Sequence, residues 1–168
     1  KAYDYFEWIQ ANHPKMPGLK EAFGDFLSRE AVARRDKEDH FGALVLLTTL
    51  YDQNPKYPGL AELFGGVEEV VIGRYVAADD FASARTLIKG LHRRFPDHPT
   101  ARRWESELRE RAGVHLAEAS DARARGDYRK ADRAMQIVAR IWPDLDGFEE
   151  LQAFLHREYP RVVVGVKS

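Results

Sequence analysis

The sequence predicts an all-α protein, an α-solenoid of stacked antiparallel helical hairpins. Three observations predict it. Pro14, Pro55, Pro96 and Pro143 each stand twelve residues after an alanine: Ala2, Ala43, Ala84 and Ala131. Apolar residues follow each alanine at offsets of 4 and 7, as Phe6 and Ile9, Leu47 and Leu50, Ile88 and Leu91, and Met135 and Val138. Offsets of 0, 4 and 7 lie on one helical face. Finally, no alternating strand pattern competes before residue 160.

The elements follow in order. A first helix over 1–12 ends at Pro14, because proline cannot continue the helical hydrogen-bond ladder. Long helices are predicted over 17–36, 58–78 and 99–125, and shorter ones over 40–53, 81–95 and 128–142. A last helix covers 146–158. Each short helix after the first is preceded by aspartate (Asp39, Asp80, Asp127), which caps free N–H groups. An aromatic-type ring follows each aspartate (His40, Phe81, Tyr128) and is expected in the corner between two helices. Segments such as Pro14-Lys-Met-Pro-Gly-Leu19 and Pro55-Lys-Tyr-Pro-Gly-Leu60 recur at the turns between units. The alanines are spaced 41, 41 and 47 residues apart, so each unit is two helices and two turns, with the extra residues in 99–125. Residues 1–159 form one repeat domain. Residues 160–168, with Val162-Val163-Val164-Gly165-Val166, read as a β-like tail or the start of a following domain. The chain starts without Met and inside a hairpin, which suggests a piece of a longer protein.

The second half of each unit resembles the tetratricopeptide repeat. Gly126-Asp127-Tyr128-Arg-Lys-Ala131 with Pro143 matches that family's closing pattern, as does Asp79-Asp80-Phe81-Ala-Ser-Ala84 with Pro96. Asp39-His40-Phe-Gly-Ala43 with Pro55 keeps the spacing with His at the aromatic position. The period exceeds the family's roughly 34 residues, so the chain is TPR-like with longer first helices. The resemblance implies a right-handed superhelix and a concave groove lined by the first helix of each pair. Carried over by offset, the groove positions are Asp25, Ser28 and Arg35, then Glu69 and Val76, then Leu116, Ser120 and Arg123. Of these, Arg35, Glu69 and Arg123 are the charged groups expected to face it.

Composition narrows the function classes. The 168 residues carry 26 Lys+Arg against 27 Asp+Glu, a formal net charge of -1. That balance argues against a chain whose bulk charge grips nucleic acid or an anionic membrane. There is no cysteine, which excludes disulfide scaffolds, thiolate metal sites and Cys nucleophiles and leaves the compartment open. No apolar run approaches the roughly 18 residues of a membrane span.

The side chains that carry chemistry form no catalytic pattern. Six histidines (His13, His40, His92, His98, His115, His156) include no i,i+4 pair of the helical zinc type, and they read as turn and surface residues. Glu68-Glu69, Asp79-Asp80 and Glu149-Glu150 are sequence neighbours that diverge by about 100° on a helix, not acid/base dyads. Glu68 and Glu69 are expected to straddle a helix edge. No serine sits in a Gly-x-Ser-x-Gly elbow, and Gly65-Gly66 lies in a helical pattern, suited to a close helix contact or a kink. The expectation is a protein that is not an enzyme and needs no metal or cofactor.

Charge is uneven along the chain. Residues 1–84 hold 9 basic and 14 acidic groups, residues 85–140 hold 14 and 8, and residues 141–168 hold 3 and 5. Within the basic segment, i,i+4 pairs Arg103–Glu107, Glu105–Arg109 and Glu107–Arg111 are expected to neutralise one helix. Arg123, Arg125, Arg129 and Arg133 are less neutralised and form the candidate basic patch. Together these features point to a non-catalytic interaction scaffold for a peptide or protein partner, or for a second copy of the chain. Two rival readings are an RNA-binding helical array and the N-terminal helical region of a bacterial extracellular solute-binding receptor.

Overall fold

A computed structural model describes residues 2–13 and 16–159; the β-like tail expected at 160–168 lies outside them. Eight helices and no strand occur among the described residues: α1 (Ala2–Asn12), α2 (Leu19–Asp36), α3 (His40–Gln53), α4 (Leu60–Ala77), α5 (Phe81–Arg94), α6 (Pro99–Ala124), α7 (Tyr128–Ile141) and α8 (Phe148–Glu158). The protein is all-α. None of these helices is long and apolar enough to cross a membrane.

Two kinds of turn alternate. Where a short helix meets a proline, the preceding residue swings into extended backbone, with φ of -148° at Asn54, -134° at Phe95 and -154° at Trp142. Crowding by the proline ring disfavours helical geometry at that residue. The next helix then starts from a left-handed glycine, with φ of 75° at Gly18, 75° at Gly59 and 83° at Gly147. At the third such turn Asp97 takes the positive φ and His98 caps α6, its Nδ1 accepting from the Thr100 N–H at 3.2 Å. The other turns share a second design. Asp39, Asp80 and Asp127 accept backbone N–H bonds from Gly42, Ser83 and Lys130 at 2.9, 3.1 and 3.0 Å. Each capping aspartate follows a residue with positive φ: Glu38, Asp79 or Gly126.

Helix α2 packs on α3, α4 on α5 and α6 on α7, while α3–α4, α5–α6 and α7–α8 join these pairs. Contacts also run between next-but-one helices, α2 to α4, α4 to α6 and α5 to α7. The alanines that open the repeated stripe, Ala43, Ala84 and Ala131, are fully buried at these contacts. One apolar core runs from Phe23 to Leu155, and the last helix contributes Phe148, Leu151 and Leu155 to it. At the other end α1 is held by rings, Tyr3 and Phe6 lying 5.7 and 5.1 Å from Phe23 between centroids. Arg85 of α5 donates to the Ile141 carbonyl at 2.8 Å and to that of Arg140, tying α5 to the carbonyl end of α7.

Three expectations change. Arg103 pairs with Glu69 of α4 rather than with Glu107, because the close approach of α4 and α6 offers a partner off its own helix. The pairs Arg109–Glu105 and Arg111–Glu107 do form, at 3.2 and 2.6 Å. His40 is buried rather than a surface histidine, in keeping with the corner position expected for the ring after each capping aspartate: its Nδ1 lies 2.7 Å from the Glu38 carbonyl between α2 and α3. Glu68 lies inside the core rather than at a helix edge.

Candidate functional site

The residues carried over as groove positions lie on α2, α4 and α6, and Asp25, Ser28, Arg35, Glu69 and Arg123 among them are already in local contacts. Asp25 accepts from the Tyr57 hydroxyl at 2.8 Å, with Ser28 beside it. Burial and that carboxylate raise the Tyr57 hydroxyl above its usual value. Arg35 pairs with its chain neighbour Asp36 at 2.9 Å. Glu69 holds Arg103, Ser120 is exposed, and the Arg123 guanidinium sits 4.0 Å from the centroid of the Phe154 ring. These contacts join α2 to the α3–α4 turn, α4 to α6, and α6 to α8.

The basic patch divides in two. Arg123 and Arg125 lie at the end of α6, with Arg123 stacked on α8. Arg129 and Arg133 lie one turn apart on α7 and line a cleft of about 410 Å³ with Glu118, Asp127, Lys130, Ala134 and Ile137.

A larger cleft, about 490 Å³, opens where α1, α2 and α3 meet. Tyr3 comes from α1, Phe26, Glu30 and Arg34 from α2, and Val45, Leu46 and Thr49 from α3. Helical periodicity builds it: Phe26, Glu30 and Arg34 share one face of α2, and Val45 and Thr49 share one face of α3. Its floor is apolar, and Val45 is left 66% exposed. Its rim is charged: Arg34 lies 3.7 Å from Glu30 and 3.0 Å from Asp39. A third cleft, about 340 Å³, lies between α7 and α8 around Met135, Gln136, Gln152 and His156. None of the eight carried-over groove residues (Asp25, Ser28, Arg35, Glu69, Val76, Leu116, Ser120, Arg123) lines any of the three.

The most perturbed ionisable group is Glu68, only 1% exposed. Its Oε2 has no hydrogen-bond partner, and the nearest cation, Arg94, stands 3.8 Å from Oε1. Burial pushes the carboxyl up to about 7, against the pull of Arg94. The Arg94 guanidinium is itself 5.1 Å from the Phe64 ring centroid. Next to this group, His98 Nε2 donates to the Ala61 carbonyl at 3.1 Å, and its ring fills the space beside Gly65. Gly66 faces open space and α4 continues through both glycines, so Gly65 serves a close contact and no helix break occurs.

Sequence reasoning missed both Glu68 and the α1–α3 cleft. The signal for Glu68 was present: it stands four residues after buried Phe64 and four before buried Ile72, on the apolar stripe of α4. Among the described residues no group of three or more His, Asp or Glu side chains is arranged to hold a metal ion. No protein-family model, curated protein or solved structure matches this chain.

Proposed function

We propose that this chain is a non-catalytic protein-interaction scaffold, a TPR-like right-handed solenoid whose α1–α3 cleft receives an apolar side chain of a peptide or protein partner. The observation that carries it is the 490 Å³ cleft, with an apolar floor, the exposed Val45 and a rim of Glu30 and Arg34. Amphipathic segments dock in such grooves by apolar anchors, and flanking charges set their orientation. The repeated aspartate caps, the recurrent positive-φ turns and the next-but-one helix contacts support the solenoid part of the reading.

The test is selection of binders from a displayed peptide library, followed by titration of the selected peptides. They should share a hydrophobic anchor, and Val45→Glu should weaken them by about tenfold or more, equivalent to about 1.4 kcal/mol. Val45 is mostly exposed, so the melting temperature should hold. Selected peptides that bind the Val45→Glu chain undiminished refute the cleft as the partner site.

A further inference from the structure

We propose that the α6–α7 cleft docks an acidic peptide segment that carries an apolar residue. The proposal rests on the interaction-scaffold reading but uses a different face of the molecule.

The argument starts from which charges in the cleft are already engaged. Glu118 is held by Lys130 at 3.0 Å and lies 3.7 Å from His115. The hydrogen bond and charge of Lys130 hold the Glu118 carboxyl below its usual range. The Asp127 carboxylate caps α7 by accepting from the Lys130 N–H. Both acids and the one lysine are thus committed to each other and to the backbone. Arg129 and Arg133 are not: neither makes an ion pair among the described residues, and both are exposed. By contrast Arg85, Arg103, Arg109 and Arg111 are all engaged, with carbonyls or carboxylates.

Spacing on α7 sets the geometry. Arg129, Arg133 and Ile137 are each four residues apart, so they form one stripe, with neighbouring Cβ atoms about 5–6 Å apart. The two guanidiniums present forks suited to carboxylates. One turn further on, Ile137 is 37% exposed and offers an apolar contact, above the buried floor of Ala134. The complement of this stripe is a segment with two acidic side chains followed by an aliphatic one.

The same cleft is unsuited to RNA. Glu118 and Asp127 would repel a phosphate backbone, and no aromatic side chain lines the cleft to stack a base.

The experiment is fluorescence anisotropy of a labelled short acidic peptide containing one leucine, titrated with the full chain. A basic peptide with the same leucine and a single-stranded RNA oligonucleotide serve as comparison probes. Expected is binding of the acidic peptide alone, weakening as salt rises. The Arg129→Gln, Arg133→Gln double variant should lose about tenfold or more, and Ile137→Ser should lose affinity with little change in salt dependence. All three residues are exposed, so circular dichroism and melting should match the parent chain; Arg129→Gln alone provides a milder check on the same loss. Three results overturn the proposal: no acidic-peptide binding at low salt, equal binding by the double variant, or preference for the oligonucleotide. Val45→Glu separates the two sites. If it abolishes acidic-peptide binding while the arginine variant does not, the peptide sits in the α1–α3 cleft and the present proposal fails, with the scaffold reading intact.

Discussion

Replacing Glu68 with glutamine should stabilise the protein above neutral pH and leave it nearly unchanged in acid. The wild-type chain folds with this carboxyl 1% exposed, one oxygen unpartnered and Arg94 at 3.8 Å, beyond hydrogen-bond reach. Ionisation there forfeits hydration that Arg94 only partly replaces. Burial therefore moves the carboxyl from an ordinary 4.5 up to about 7. At about 1.36 kcal/mol per pH unit, that difference is worth about 3 kcal/mol. The sign follows from linkage. The folded value lies above the unfolded one, so the stability is fully present below pH 4.5, is lost as pH rises towards 7, and is absent above it. Glutamine does not titrate, so the variant should gain on the wild type across that window, by about 3 kcal/mol less the cost of an unpaired amide. For a chain of this size each kcal/mol shifts the melting temperature by roughly 2–4 °C. The assay is denaturant unfolding followed by circular dichroism at a series of pH values, read as variant minus wild type so that other titrating groups cancel. A difference that stays flat from pH 4.5 to about 7 refutes the reasoning, as does a variant less stable than wild type at pH 8.

Further predictions use the same core. Gly65→Ala should destabilise by about 1–3 kcal/mol, because the new methyl meets the His98 ring and displaces it from the Ala61 carbonyl. Gly66→Ala, one residue on and facing open space, should instead stabilise by about 1 kcal/mol through helix propensity; thermal melts of the two variants side by side check the opposite signs. Ala84→Leu should overpack a fully buried site and cost about 1–3 kcal/mol in urea unfolding. Asp127→Ala should cost about 1 kcal/mol by removing the acceptor for the Lys130 N–H, measured as a lower urea midpoint.

The helical elements were legible because local physics sets them. Proline excludes helix from itself and crowds the residue before it, so Phe95 and Trp142 mark helix ends that any reader of the sequence can find. Asp80 and Asp127 cap through bonds that span three residues, and Leu47 and Leu50 are core positions by periodicity alone. The candidate sites were less legible. Arg103 had a good partner four residues along its own helix, and only the approach of α4 to α6 diverts it to Glu69. Arg123 reads as a free cation in sequence, yet it stacks on Phe154, thirty-one residues later in the chain.

The all-α class, the number and order of the helices and their ends among the described residues were determined by the sequence itself, since spacing, capping and proline act within a few residues. Tertiary structure alone decided that Glu68 is enclosed in the core, that Gly65 makes room for His98, and that Val45 borders an open cleft between α1, α2 and α3. Burial and charge pairing depend on which helix faces which, and that is set by the packing of all the helices together, not by any one segment.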